Sequence, residues 1–405
     1  MRLLPEPGAA RILTLSTLVN TVGRGVWLTA SALFLTRSVG LTETQVGLGL
    51  SANGLVSLVA AAPMGYLADR WGPRNVKILA LLASGALTAA LTAVRSFPQF
   101  LALSVLMALA EAAFRGSRGA VIAGAVPADQ RVRTRAYLRA TTNLGVSVGA
   151  LAAGAGIAAD SRSAYLALIM LDALTYLVAA AILTRLAPIP PAPAPARGPR
   201  LIALRDWPFL AFTAIDGLMS MHFALLNIAL PLWIVSHTAV PGWLISVLIL
   251  VNTTMVVLFQ VRASRGTEEL AGAARAARRA GLAVAGACIL FAASGLVPTS
   301  AAVVLLVVGA FVHVVGELWQ SAAGWGISFG LAPAHAHGQY QGAYGMGMDL
   351  GRMLAPVVVT TLAIGWGVPG WLVLGALFLG LGALVPPVVR WASRTRARPE
   401  PAAVS

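Results

Sequence analysis

Residues 55–87 read LVSLVAAAPMGYLADRWGPRNVKILALLASGAL: an apolar run, a short turn that carries the charges, and a second apolar run. On both sides of the turn the apolar residues are continuous and do not alternate with polar ones. That is the pattern of a helix buried on all sides, not of a half-buried strand. Followed outward, the two runs reach 44–67 and 76–95. Each is long enough to cross a hydrocarbon layer of ~30 Å, which takes about 20 helical residues. Backbone polar groups in lipid must pair within the protein, so only helices and closed barrels span a bilayer. Continuous runs select helices.

The same reading extends along the chain. Further apolar spans are expected near 11–36, 98–125, 137–159 and 164–186, and then near 207–235, 242–261, 279–297, 300–331, 338–364 and 370–390. Between the sixth and seventh lies PIPPAPAPARGPR, 188–200, whose prolines exclude a continuous helix and mark a linker. The chain therefore divides into a six-span bundle over 1–187, the linker 188–200, and a second six-span bundle over 201–405. Composition agrees: 58% of the 405 residues are hydrophobic and 11% are charged, against roughly 25% charged in soluble domains. The first span is too long for a signal-peptide core and lacks a small-residue cleavage pattern, so it is expected to remain. The fold class is an all-α membrane protein of twelve transmembrane helices.

The net charge of +15 would suggest nucleic acid in a soluble chain, but the positions of the charges indicate topology. With a cytoplasmic N-terminus, 22 Lys and Arg residues fall in inside loops and termini and 3 (Arg37, Arg95 and Arg162) in outside loops. This follows the positive-inside rule, with both termini cytoplasmic in a multi-pass protein of the cell (inner) membrane. No nucleic-acid partner is expected. Cys288, the single cysteine, lies inside an apolar run and reads as a small buried hydrophobe.

An internal repeat appears at an offset of 206. Glu111 matches Glu317, Gly124 matches Gly330, Pro127-Ala128 match Pro333-Ala334, and Asn143-Leu144-Gly145 match Asp349-Leu350-Gly351. Spans four and five thus correspond to spans ten and eleven. Because each half holds six spans, the halves keep the same orientation, which makes a parallel repeat about an axis along the membrane normal.

The loop after span two, Gly65-Tyr66-Leu67-Ala68-Asp69-Arg70-Trp71-Gly72-Pro73-Arg74, closely resembles the signature G-x-L-A-D-R-x-G-x-R of the major facilitator superfamily. It also falls where that signature belongs, between spans two and three. The resemblance implies two bundles that rock against each other, 1–187 against 201–405, to expose a central site alternately to each side. It implies a cytoplasmic gate at Gly65, Asp69, Arg70, Gly72 and Arg74, latched between the second and eleventh helices, with Asp349 and Arg352 of span eleven on the facing side. Physically, Gly65 permits close helix approach, and Asp69 can accept hydrogen bonds from the amides at a helix N-terminus, an end that favours negative charge.

Charges inside the spans are costly and should face protein or water. Glu111, Arg115 and Arg118 share one face of span four, at i, i+4 and i+7. The stretch Arg115-Gly116-Ser117-Arg118-Gly119 resembles the family's fourth-helix motif R-x-x-Q-G, with Arg118 where glutamine is usual. That likeness implies an energy-coupling role for Arg115, while an internal ion pair with Glu111 is the competing reading. Span ten repeats the geometry with His313, Glu317 and Gln320; an imidazole beside a carboxylate is a candidate proton site, and a hydrogen-bonded structural pair competes with it. Span one offers Asn20, Arg24, Trp27 and Ser31, and span seven offers Asp216, Ser220, Phe223 and Asn227. Trp319 and Trp325 read as packing residues. Asp172, alone in span six, reads as a packing residue hydrogen-bonded to a neighbour.

The fifth span has Asn143-Leu144-Gly145 and Gly149-Ala150 but no proline, so the Gly-Pro motif of the family's drug–proton antiporters is degenerate. Neither a P-loop, nor H-E-x-x-H, nor paired cysteines occur, and His335 with His337 makes no metal site by itself. No enzyme activity, metal or cofactor is expected. The favoured reading is a monomeric secondary transporter in the lipid bilayer that couples protons to export of a small organic molecule. The alternatives are an importer or facilitator of a small organic anion, drawn by Arg24, Arg115 and Arg118, and a non-transporting membrane sensor or assembly factor on the same fold.

Overall fold

The computed structural model describes residues 5–159, 161–192 and 201–396. Among these, twelve helices are long and apolar enough to cross a membrane. They are α1 (Ala9–Ser38), α2 (Thr44–Trp71), α3 (Pro73–Ala93), α4 (Phe97–Ala125), α5 (Ala128–Ala158), α6 (Arg162–Leu183), α7 (Trp207–His237), α8 (Trp243–Ala263), α9 (Leu270–Ser294), α10 (Thr299–Gly330), α11 (His337–Gly365) and α12 (Val368–Arg396). No strand occurs among the described residues.

Two helices start well before their apolar runs. α5 carries Arg131, Arg133, Arg135 and Arg139 in its first turns, and α9 carries Arg275, Arg278 and Arg279; the sequence reads all seven as loop residues. Arginine is a good helix former, and the hydrophobic boundary marks where lipid begins, not where a helix does. Of the linker 188–200, residues 188–192 are described and form no regular element, and the Ala192 amide donates to the Asp69 carbonyl at 2.8 Å. Residues 193–200 lie outside the described chain, as do Arg2 and Arg398.

The chain forms two compact units. The first holds Met1–Ile202 with Ala332–Gly345, and the second holds Ala203–Leu331 with Met346–Ser405. In the first, α1 packs on α5 and α6, α2 on α4, and α3 on α4 and α6. A Cβ at Gly145 of α5 would overlap Thr21 of α1, and one at Gly149 would overlap the Val22 carbonyl. In the second unit, α9 packs on α10 and α12, and α10 on α8 and α7. A Cβ at Gly351 of α11 would overlap the Gly217 carbonyl of α7. Gly145 and Gly351 are repeat equivalents, and each lets the fifth helix of its bundle approach the first closely by contributing no side chain of its own.

The core of the second unit gathers Trp233, Phe291 and Trp371, with ring centroids 5.8 Å apart for the two tryptophans and 5.4 Å for Phe291 and Trp371. Cys288 is fully buried among them. α7 is not a regular helix. Its backbone tightens to a 3₁₀ turn at Ser220–His222 and widens to a π segment at Leu225–Ala229. Such changes of winding alter which side chains share a face.

Candidate functional site

The first loop sits in the first unit together with the start of α11. Both carboxylate oxygens of Asp69 accept backbone amides there: Gly338 N–H at 2.7 Å and Gln339 N–H at 3.0 Å. These are among the otherwise unsatisfied donors of a helix N-terminus, and the anion also favours that end of the helix dipole. Gly65, one turn before Asp69, has Gly338 on one side and Gly116 of α4 on the other. A Cβ at Gly65 would overlap the Gly338 carbonyl, and one at Gly116 would come within 2.8 Å of the Gly65 nitrogen. Three glycines thus bring three backbones together. Gly72 takes a φ of +89°, which a residue with a side chain rarely adopts, and turns the chain into Pro73 at the start of α3. Arg74 donates to the Thr184 carbonyl at 2.6 Å, at the end of α6, while Arg70 is exposed.

Deeper in the first unit, Arg24 of α1 donates to Glu111 of α4 at 3.1 Å, and Arg115 stands 3.6 Å from the same carboxylate oxygen. Arg24 and Glu111 are each within a residue of the midpoint of their helices. The face of α4 continues to Arg118, whose guanidinium lies 5.4 Å from the centre of the Phe114 ring. Lys77 of α3, read from sequence as a loop residue, is buried over the same ring at 3.6 Å and donates to the Phe114 carbonyl at 3.4 Å. Cation–ring contact partly offsets the loss of water around a buried ammonium. Arg135 of α5 donates to Gln341 of α11 at 2.9 Å.

The second unit has a different polar centre. Glu317 of α10 accepts from the Asn252 amide of α8 at 2.8 Å. One turn earlier, His313 Nδ1 stands 4.0 Å from Glu317 Oε2. His313 Nε2 donates to the His222 carbonyl at 3.0 Å and lies 3.2 Å from His222 Nδ1. A carbonyl oxygen can only accept, so that contact places a hydrogen on Nε2 and leaves Nδ1 as the ring nitrogen on the side of the carboxylate. Gln320 donates to Asp216 of α7 at 2.9 Å. His222, His313 and Glu317 each set one ligand atom within 4.8 Å of the others, close enough to share a cation. Since Asn252 and the His222 carbonyl already engage these groups, the set reads as a hydrogen-bond network.

Of the residues marked from sequence, Arg24, Glu111 and Arg115 come together, as do His313 and Glu317, and Asp216 and Gln320. Asn20 is buried, and its amide nitrogen makes no hydrogen bond. Asn227 is exposed and bonds the Phe223 carbonyl of its own helix at 2.8 Å. Asp349 pairs with Arg352 at 3.1 Å along α11, Arg352 being exposed. Trp319 packs on the apolar core of the second unit. Asp172 is buried, but its Oδ1 accepts no hydrogen bond, contrary to the expected bond to a neighbour. Lys77, His222, Asn252, Gly338, Gln339 and Gln341 were not marked from sequence. His222 escapes because the assumed regular face of span seven breaks at the 3₁₀ turn, and Gly338 and Gln339 because backbone amides leave no mark in residue type.

The sequence profile of the Major Facilitator Superfamily matches residues 13–356, most of the chain. The chain belongs to the Major Facilitator Superfamily. Members of this superfamily are membrane transporters, not enzymes. Its sequence is 29% identical over 242 residues to a protein of Deinococcus radiodurans described as a putative sugar efflux transporter, a match spanning 56% of this chain and 61% of that relative. Two solved superfamily folds superpose along nearly the whole length. The human organic anion transporter TETRAN gives a TM-score of 0.69 at 17% identity, covering 94% of this chain and 100% of that one. A bacterial homologue of the iron transporter ferroportin, in its outward-facing state, gives 0.70 at 13% identity, covering 96% and 99%. Identities this low show a shared major facilitator fold and nothing of cargo.

Proposed function

We propose that this transporter exports a small organic molecule in exchange for protons, by alternating access between the bundles 1–187 and 201–405. The observation that carries the reading is the pair of repeat-related carboxylates. Glu111 and Glu317 sit inside apolar helices, where an ionisable group is expensive and needs a partner or a path to water. Each has polar partners there, and Glu317 has the His313 imidazole 4.0 Å away. The Deinococcus relative, described as a putative sugar efflux transporter, supports export and a hydroxylated cargo. The gate at Asp69, a monomer in the cell membrane, and cytoplasmic termini belong to the same reading.

The test uses purified protein in proteoliposomes, with a panel of labelled sugars and small organic acids as probes. Exchange for protons predicts that vesicles with an acid interior accumulate a probe and that a protonophore abolishes the accumulation. Accumulation only under an acid exterior would identify symport instead. Flux indifferent to the gradient would identify a facilitator.

A further inference from the structure

In the first unit two carboxylates share the surroundings of one guanidinium, and only one of them is engaged. Arg24 is on Glu111 at 3.1 Å, and Arg115 supports the same carboxylate at 3.6 Å. Asp172 stands at the midpoint of α6, 2% exposed, and its Oδ1 has no hydrogen-bond donor. It makes no ion pair within 4.0 Å among the described residues. Yet it is close to α1. A Cβ at Gly23 would overlap Asp172 Oδ1 and the Thr175 hydroxyl, so the missing side chain is what admits the carboxyl group. Arg24 is the next residue along α1.

The charges around Asp172 are few. From α1, Arg24 is the charged group within electrostatic reach. On α6 itself Tyr176 is near, and it also lies within reach of Glu111 and Arg24. Glu111 of α4 is the carboxylate that Arg24 bonds. α3 also packs along α6, but its buried cation Lys77 is committed to the Phe114 ring and carbonyl. The arginines of α5 lie in its first turns. A carboxylate anion buried with an undonated oxygen and no bonded cation costs more than the neutral acid in the same place.

We propose that Asp172 is a proton-carrying group of the first unit: it holds a proton in this conformation and, on releasing it, draws Arg24 away from Glu111. The step balances simply. One proton leaves the Asp172 carboxyl group for water, the anion formed takes the guanidinium, and Glu111 keeps Arg115. Protonation is thereby converted into a change of partner between α1–α4 and α1–α6, a mechanical event at the middle of the bundle. The inference rests on the proton-coupled reading above and names a carrier that the repeat does not reveal, since Asp172 has no partner in the 206-residue register: position 378 is Phe378.

The experiment compares wild type, Asp172→Asn and Asp172→Glu in proteoliposomes, using whichever labelled probe the wild type moves. Two modes are read, equimolar counterflow without a gradient and accumulation driven by an acid interior. Asp172→Asn is expected to keep counterflow within about twofold and to lose at least about tenfold of gradient-driven accumulation, with Asp172→Glu restoring part of it. Infrared difference spectra of the purified protein provide a readout independent of cargo: the wild type should show a protonated carboxyl band that titrates and is missing in Asp172→Asn. Full gradient-driven accumulation by Asp172→Asn, or an unchanged carboxyl band, overturns the inference. A wild type whose flux ignores the gradient would instead overturn the proton-coupled reading, and the spectra would still decide the protonation of Asp172.

Discussion

Glu111 and Glu317 occupy the same place in a repeat, and the two units treat them differently. Glu111 is held by two guanidinium groups, Arg24 and Arg115. Glu317 is held by a neutral amide, Asn252, with an imidazole at 4.0 Å. Around Glu111 one carboxylate and two guanidinium groups, all part-exposed, offset one another's charge. The repeat has kept the position of an acid while its neighbours differ, and under the proposed function the two acids take separate tasks: organising charge in one unit, exchanging a proton in the other.

The largest expected consequence concerns stability. Glu111→Ala leaves Arg24 and Arg115 without the carboxylate they share, and stranding a buried charge costs about 3–5 kcal/mol where burial is complete. Since Arg24 is 44% exposed, the lower end applies. Glu317→Ala removes an acceptor from neutral donors and should cost about 1–3 kcal/mol. Thermal unfolding of the detergent-purified variants ranks the two, and equal losses would erase the contrast.

Packing sharpens the comparison at the next level. Gly145 and Gly351 are also repeat equivalents, but a Cβ at Gly145 meets first the Thr21 side chain, whereas one at Gly351 meets first the Gly217 carbonyl. A side chain can turn aside, while backbone cannot move without its helix. Gly351→Ala should therefore cost about 2–3 kcal/mol and Gly145→Ala about 1 kcal/mol, measured by the same unfolding assay. The reverse order would mean that the α1–α5 contact is the less tolerant one.

The smallest expected effect separates two carboxylates that cap helices. Asp69 is buried and takes two amides of α11, while Asp206 takes the Phe209 amide at 3.1 Å at the start of α7 and pairs with Arg396. Capping substitutions cost about 0.5–2 kcal/mol. Asp69→Asn should fall near the top of that range, because one of two buried amides loses its acceptor. Asp206→Asn, part-exposed and open to water, should fall near the bottom. Indistinguishable melting temperatures would count against a special role for the first loop.

Much of this was legible in the residues. Continuous apolar runs give the twelve helices because lipid leaves the backbone no alternative. The 206-residue register predicts that Glu111 and Glu317 share a position, and i, i+4 spacing predicts the Glu111–Arg115 and His313–Glu317 pairs. Other features have no local signature. Whether Arg24 joins Glu111 or Asp172 depends on how three helices meet, and Gly23 admits the Asp172 carboxyl group beside α1 by lacking an atom. Lys77 and Arg135 count among the inside charges until α3 and α5 place them within helices, Lys77 against Phe114 and Arg135 against Gln341. His222 comes into reach of His313 where the backbone of α7 departs from regular winding. The amides of Gly338 and Gln339 are invisible to any reading of side chains.

The proposed division of labour between the two acids is tested most directly by Glu317→Gln in proteoliposomes, with counterflow and gradient-driven accumulation measured on the same preparation. The glutamine keeps an acceptor for Asn252 and cannot release a proton. Counterflow close to wild type, with accumulation no longer responsive to an acid interior, is the predicted result. Accumulation by Glu317→Gln with its full dependence on the gradient would remove Glu317 from proton exchange and contradict the account.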